Sequence, residues 1–112
     1  MFEIIIFKEI FMNEYEKKFY ETLEKLRKKP GLFIGKKDIN RLRDFISGYC
    51  CAIHDIAEDG LNFRFQRFIE EKTGISHPSM HWSKIISIGR TDEEAFDEFF
   101  RLLDEYKNNG TF

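Results

Sequence analysis

The sequence predicts an all-α fold, a compact bundle of four or five helices in a single domain that spans residues 1–112. Along most of the chain, apolar residues recur at spacings of three and four, the period of one face of an α-helix. Proline or glycine separates these periodic segments, as expected between helices. The chain is 42% hydrophobic and contains 13 phenylalanines, which supplies enough apolar side chain for a core.

The first residues, MFEIIIFKEIFM, hold an uninterrupted apolar run only from Ile4 to Phe7, with charged residues on both sides. A membrane span needs about 20 apolar residues, and a signal peptide needs a basic start and a longer apolar centre. Two interpretations remain. The segment forms a short strand or an extra helical turn on the core, or residues 1–11 are an extension ahead of a natural start at Met12.

The first periodic segment predicts a helix from Asn13 to Lys29, with Asn13 as its N-cap. Its basic end suits the negative pole of the helix dipole, and Pro30 then stops it. The apolar stripe of this helix consists of Tyr15, Phe19, Leu23 and Leu26.

The connection that follows, KKPGLFIGKK, lacks the GxxxxGK[ST] spacing of a phosphate-binding loop. We therefore predict a hydrophobic turn in which Leu32, Phe33 and Ile34 close the end of the bundle. Gly31 is expected to adopt a positive φ, a conformation that glycine tolerates best. The structural residues of this turn are Pro30, Gly31 and Gly35.

The next segment predicts a helix that is capped by Asp38 and ends at Gly60. Its apolar face is wide, which is typical of the central helix of a bundle. A third helix from Leu61 to Thr73 stops at Gly74. The apolar stripe of the central helix consists of Ile39, Leu42, Ile46, Tyr49, Ile53 and Ile56.

Two further helices complete the predicted bundle. A short apolar segment from His81 to Ile88 contains Trp82, and we favour a helix over a strand there. The last helix begins with a capping box, in which Thr91 is followed three residues later by Glu94. It ends at Asn109-Gly110, and its inner face consists of Phe96, Phe99, Phe100, Leu103 and Tyr106.

Few residues in the sequence suggest catalysis or metal binding. Cys50 and Cys51 are adjacent in a helical segment, so they are expected to be reduced thiols of a cytoplasmic protein rather than a disulfide. Among the histidines, His54 has Ser47 nearby, but an acidic partner and an oxyanion loop are not identifiable. His77 and His81 lack a carboxylate at ligand spacing. We therefore predict no catalytic residue, no metal site and no cofactor.

The net charge of −2 conceals two patches of opposite sign. Residues 27–43 contain seven basic residues and one acid, whereas residues 91–106 contain seven acids and one base. Both patches fit solvated helix faces, because a helix dipole attracts acids to its start. Alternatively, the acidic patch mimics nucleic acid and docks into the basic cleft of a nuclease toxin. The basic patch could contact phosphates, although it lacks exposed aromatic residues between its charges.

One short stretch, LRKKPGLFIG, resembles the RKRPGMYIG segment of gyrase-type ATPases. In that family the segment precedes a helix that carries a catalytic Glu and a magnesium-binding Asn. The corresponding helix here offers Asp44 and Asp55 but no Glu-x-x-x-Asn pair, and no DxGxG or glycine-rich lid follows. We therefore do not expect ATPase activity.

A longer resemblance follows the order RKKPGLFIG, INRLRDFISGY, FQRFIEEKTGI, HWSKII and EEAFDEFFRLLDEY. This order is similar to that of small bacterial immunity proteins of toxin systems, including contact-dependent inhibition. Such a resemblance implies a toxin-binding surface and no catalytic residues. The matching positions are Arg27, Pro30, Gly31, Gly35, Leu42, Gly48, Tyr49, Phe65, Trp82, Ile85, Phe96, Phe99 and Phe100.

These observations predict a non-enzymatic, cytoplasmic bacterial protein that binds a cognate toxin domain, with no membrane partner. A small nucleic-acid-binding or regulatory module is the alternative. The toxin-binding residues expected on the last helix are Asp92, Glu93, Glu94, Asp97 and Asp104. The basic residues that the alternative would use are Arg27, Lys28, Lys36, Lys37 and Arg41.

Overall fold

The computed structural model describes residues 2–52 and 61–108, and all regular structure in these two ranges is helical. This confirms the predicted all-α fold. Six helices lie in the described residues instead of four or five, because the turn at Pro30–Phe33 is itself helical. The helices are α1 (Phe2–Lys28), α2 (Pro30–Phe33), α3 (Ile39–Ala52), α4 (Leu61–Thr73), α5 (Trp82–Ser87) and α6 (Asp92–Asn108).

Helix α1 is longer than predicted. It runs without interruption from Phe2, so the start of the chain continues the helix and does not form a strand. Asn13 therefore lies inside α1, and its assignment as an N-cap was wrong. The first eleven residues contain neither Gly nor Pro, and each residue that extends an existing helix gains a backbone hydrogen bond.

The core is centred on α6. This helix buries seven residues, whereas α3, which we predicted to be central, buries Ile39, Leu42 and Ile46 among its described residues. Trp82 of α5 and Phe65 of α4 pack against the buried face of α6. The buried residues of α6 are Ala95, Phe96, Phe99, Phe100, Leu102, Leu103 and Tyr106.

The predicted starts of the last two helices are confirmed. His81 is the N-cap of α5, and its side chain accepts a hydrogen bond from the backbone nitrogen of Ser83 at 3.2 Å. At α6, the backbone nitrogen of Glu94 donates to Thr91 Oγ1 at 3.1 Å. The backbone nitrogen of Thr91 donates in return to Glu94 Oε1 at 2.8 Å. Both halves of the predicted capping box are thus formed.

The turn after α1 differs from the prediction in two respects. Leu32 and Phe33 do not close the bundle, and the fully buried residues that flank this turn in sequence are Leu26 and Ile39. Leu32 is 78% exposed, and only Ile34 of the apolar triplet packs against the core. The positive φ of this turn, +88°, belongs to Gly35, and Gly31 lies in α2 with an ordinary φ.

Several sequence-based predictions lie outside the described residues. They concern the end of the helix predicted to run from Asp38 to Gly60, the surroundings of the histidine in that helix, and the end of the last helix. The side chains of Tyr15 and Leu61 lie outside the description as well. The other residues concerned are Ile53, His54, Asp55, Ile56, Gly60, Asn109 and Gly110.

Candidate protein-binding surface

The basic patch forms a corner between α1 and α3, and we call residues 27–43 the basic corner. Pro30 occupies the first turn of α2, where its missing N–H costs nothing. At the start of α3, the buried carboxylate of Asp38 accepts hydrogen bonds from the backbone nitrogens of Asn40 at 2.8 Å and Arg41 at 3.2 Å. The one acid of the corner is therefore used as a helix cap, which leaves its outer surface strongly basic.

Arg41 is exposed and bonds to the turn of the basic corner. Its Nη1 donates to the carbonyl oxygen of Ile34 at 3.0 Å. The same atom lies 2.5 Å from the position that a Cβ on Gly35 would occupy. The guanidinium thus packs against a bare backbone that only glycine provides, and Arg41 has a structural role in addition to its charge.

The acidic patch lies on the outer side of α6, and we call Asp92, Glu93, Glu94, Asp97 and Asp104 the acidic face. Glu93 is exposed, and the side chains of Asp97 and Asp104 are 61% and 46% exposed. Since the opposite side of α6 is buried along its length, these carboxylates are fixed on a rigid support. Three of them lie in the first turn of α6, where the helix dipole stabilises negative charge.

The structure brings the two patches side by side. Arg27 Nη1 lies 3.0 Å from Asp104 Oδ2, and Lys37 Nζ lies 3.2 Å from Asp97 Oδ1. The side-chain nitrogen of Asn40 donates to an oxygen of Asp92 at 3.4 Å. The acidic face and the basic corner therefore form one continuous surface, which the sequence analysis treated as two.

Some charged groups of this surface take no part in the ion pairs between the two patches. The Glu94 carboxylate accepts the capping hydrogen bond from the backbone nitrogen of Thr91, which lowers the pKa of this carboxyl below its ordinary value. Glu93, Lys28 and Lys36 are exposed and make no ion pair within the described part of the chain. Arg27 is also held by Glu24 at 3.3 Å. The unpaired groups are the ones best placed to meet charges of another molecule.

The predicted histidines serve local structure where they are described. His77 Nδ1 lies 2.8 Å from Ser79 Oγ, and His81 Nδ1 lies 2.9 Å from Ser83 Oγ. Burial lowers the pKa of His81, and the charge of Arg43 adds to this effect. A depression of about 480 Å³ lies along this loop and is lined by both histidines. Across residues 2–52 and 61–108, no three His, Cys, Asp or Glu side chains are grouped as metal ligands.

The two thiols differ in environment. Burial raises the pKa of Cys50, which lowers the fraction of its reactive thiolate form, and Cys51 is exposed.

A groove of about 610 Å³, larger than the depression beside the histidines, runs along α1 and is lined mainly by charged side chains together with Tyr20. Lys107 Nζ lies 5.0 Å from the centre of the Tyr20 ring at the edge of this groove. Sequence analysis did not identify this groove, since its residues look like an ordinary exposed helix face.

Comparison of the chain with known protein families, curated proteins and solved structures identified no match. Among the helices of the described residues, none is both long enough and apolar enough to cross a membrane.

Proposed function

We propose that this chain is a bacterial immunity protein, which binds a cognate toxin domain in the cytoplasm and neutralises it without catalysis of its own. The observation that carries the proposal is the acidic face, whose outward carboxylates lie on the most deeply buried helix of the described fold. A binding surface on a rigid element loses little conformational freedom when a partner docks. The resemblance between the order of its sequence segments and that of toxin-immunity proteins supports the same class of function.

A toxin that acts on nucleic acid has a basic cleft, and an acidic helix is complementary to such a cleft. Long-range attraction between the two surfaces would speed their association. Occupation of the cleft by α6 would then exclude the substrate of the toxin. In this proposal, the chain neutralises the toxin by blocking its cleft.

The test uses the gene beside the one that encodes this chain. We expect that gene to encode a secreted protein with a toxic C-terminal domain, and expression of the toxic domain should arrest bacterial growth. Co-expression of this chain should restore growth, and the two purified proteins should form a stable complex. A neighbouring product that is harmless, or toxicity that this chain does not relieve, would overturn the proposal.

The alternative function, nucleic-acid binding through the basic corner, is favoured by the exposed and unpaired Lys28 and Lys36. Against it stands the position of Asp97, which lies within 3.2 Å of Lys37 and would face an approaching phosphate backbone. Binding of a short duplex DNA or single-stranded RNA at physiological salt, with a steep dependence on salt concentration, would favour this alternative.

A further inference from the structure

The basic corner carries two apolar side chains that the fold does not bury. Leu32 is 78% exposed and Phe33 is 38% exposed, and α2 contributes no buried residue. We call Leu32 and Phe33 the apolar tip. A single exposed leucine is common on protein surfaces, so its significance depends on how the tip is held and on what surrounds it.

The tip is held rigidly. The backbone nitrogen of Ile34 donates to the carbonyl oxygen of Pro30 at 2.8 Å, and Arg41 binds the carbonyl of Ile34. The Phe33 ring lies edge-on to Phe45, with ring centroids 6.2 Å apart. The exposed position of Leu32 is thus a consequence of a well-bonded turn, and such preorganisation lowers the entropy cost of binding.

Lysines surround the tip. Lys28 and Lys29 precede it, Lys36 and Lys37 follow it, and all four are exposed. Among them only Lys37 forms an ion pair within the described residues, with Asp97. An apolar centre with a polar, solvent-accessible rim is the usual anatomy of a protein interface.

The neighbouring acidic face discriminates between partner classes. A membrane surface or a nucleic-acid backbone is negative over its whole area, so it would be repelled by Asp92 and Asp97, which contact the corner. A protein can instead present an acidic patch to the lysines and a basic patch to α6. The surface as a whole therefore fits a protein partner with both signs of charge.

We propose that the apolar tip is an anchor that enters an apolar pocket on the toxin domain, while carboxylates at the rim of that pocket bind Lys28, Lys29 and Lys36. This inference rests on the proposed function, because it assigns a second contact to the same partner. The two contacts then have different effects on the kinetics of binding. The acidic face governs how fast the complex forms, and the tip governs how long it lasts.

The experiment measures association and dissociation rates of the toxin domain from the neighbouring gene with wild-type protein and with Leu32→Ser. We expect the variant to bind at least about ten-fold more weakly, mainly through faster dissociation. The matched control is Ile88→Ser, since Ile88 is another exposed apolar residue, 53% exposed, outside the basic corner. The control should bind like wild type.

A second pair of double variants tests the lysines that surround the apolar tip. Lys28→Glu with Lys36→Glu should weaken binding, whereas Lys18→Glu with Lys84→Glu, at exposed positions on α1 and α5, should not. Circular dichroism and melting temperature should be the same for all variants, because every changed side chain is exposed.

The outcomes separate the inference from the function on which it rests. If wild-type protein does not bind the toxin domain, both are overturned. If wild-type protein binds and Leu32→Ser binds equally well, the anchor is overturned and the proposed function stands. Binding to phosphatidylserine vesicles or to a short RNA that is lost in Leu32→Ser would assign the tip to a different partner and overturn the inference.

Discussion

The basic corner depends directly on the backbone conformation of Gly35. Its φ of +88° is unfavourable for a residue with a side chain, and a Cβ there would lie 2.5 Å from Arg41 Nη1. We expect Gly35→Ala to destabilise the protein by about 1–2 kcal/mol, chiefly through backbone strain. Displacement of the Arg41 guanidinium would also weaken its hydrogen bond to Ile34. Urea unfolding measures the loss.

The matched control for this substitution is Gly31→Ala. Gly31 has an ordinary φ in the turn of α2, and nothing lies within 4 Å of a Cβ built there. The control should be neutral or stabilising by less than about 1 kcal/mol, because alanine restricts the unfolded chain. If both variants lose the same stability, the left-handed conformation of Gly35 does not matter to the fold.

Glu98 is a partly buried carboxylate between two arginines. It accepts hydrogen bonds from Arg90 Nη2 at 2.8 Å and from Arg101 Nη2 at 3.0 Å, and only 13% of its side chain is exposed. The hydrogen bonds from Arg101 lower the pKa of Glu98, while burial opposes this effect. A carboxyl whose pKa is lower in the folded state stabilises the fold above its ordinary pKa, and that stabilisation disappears as the pH falls through the folded value.

The corresponding prediction concerns Glu98→Gln. At pH 7 the variant should melt at a lower temperature than the wild type, because the amide lacks the charge that both arginines bind. The difference should shrink as the pH falls below about 4.3, the ordinary pKa of glutamate. Glu71→Gln, which removes an exposed pair with Arg67, is the control and should change little. A difference that stays constant with pH would contradict the assignment.

Local signals such as the Thr91 and Glu94 capping box could be predicted from sequence, because the donor and the acceptor lie within one helical turn of each other. The positive φ was predicted for the wrong glycine. Gly31 follows Pro30, and this pair looks like a turn, but Pro30 also fits the first turn of a helix. The positive φ falls on Gly35 instead, beside the contact of Arg41 with the turn, and the local sequence does not show that contact.

At the scale of the elements, α6 organises the core through Phe99. This side chain is fully buried, and its ring centroid lies 5.3 Å from that of Phe65 and 5.1 Å from that of Trp82. Phe99→Ala should cost on the order of 3–5 kcal/mol, because it removes apolar contacts and leaves a cavity. Chemical denaturation of the variant measures this cost.

Phe33→Ala is the control for this prediction, since the Phe33 ring is partly exposed on α2. It should cost well under half as much as Phe99→Ala, because its burial is incomplete. Equal losses for the two variants would mean that the buried side of α6 is not the main support of the fold.

Some helices were predicted from the sequence more accurately than others, and the difference has a physical cause. The periodic pattern located α4 and α6 well, because their apolar stripes pack against the core. The start of α1 was missed because the uninterrupted apolar run from Ile4 to Phe7 obscured the helical spacing, by which Phe7 and Phe11 extend the stripe back from Tyr15. The described part of the stripe predicted for α3 buries Ile39, Leu42 and Ile46. A wide apolar stripe indicates which side is buried, but not how many partners cover it.

At the scale of the whole molecule, the arrangement of charge depends on contacts between distant parts of the chain. Arg27 and Asp104 are 77 residues apart in sequence, and Lys37 and Asp97 are 60 apart. Sequence analysis identified both patches by composition, but their pairing follows from the packing of α6 beside the basic corner. The candidate surface was therefore predicted as separate residues, and its continuity was not.

The ion pairs between the two patches affect the design of variants that reverse the charge of the acidic face. Glu93 makes no ion pair within the described residues, so Glu93→Lys breaks no ion pair and removes only the modest stabilisation that the helix dipole gives a carboxylate in the first turn. Reversal of Asp97 and Asp104 also places like charges beside Lys37 and Arg27. Each surface pair contributes at most about 1 kcal/mol, so the triple reversal should still fold.

The last prediction compares this triple reversal, at Glu93, Asp97 and Asp104, with a control that reverses the exposed Glu14, Glu21 and Glu71. Both variants change the net charge equally, so only the position of the charge differs. Association of the toxin domain from the neighbouring gene should be slowed by reversal of the acidic face far more than by the control, and the difference should diminish with added salt. If the acidic-face variant associates and protects at wild-type rates, the carboxylates of α6 are a solvated face. The partner would then bind through Arg27, Lys36, Lys37 and Arg41.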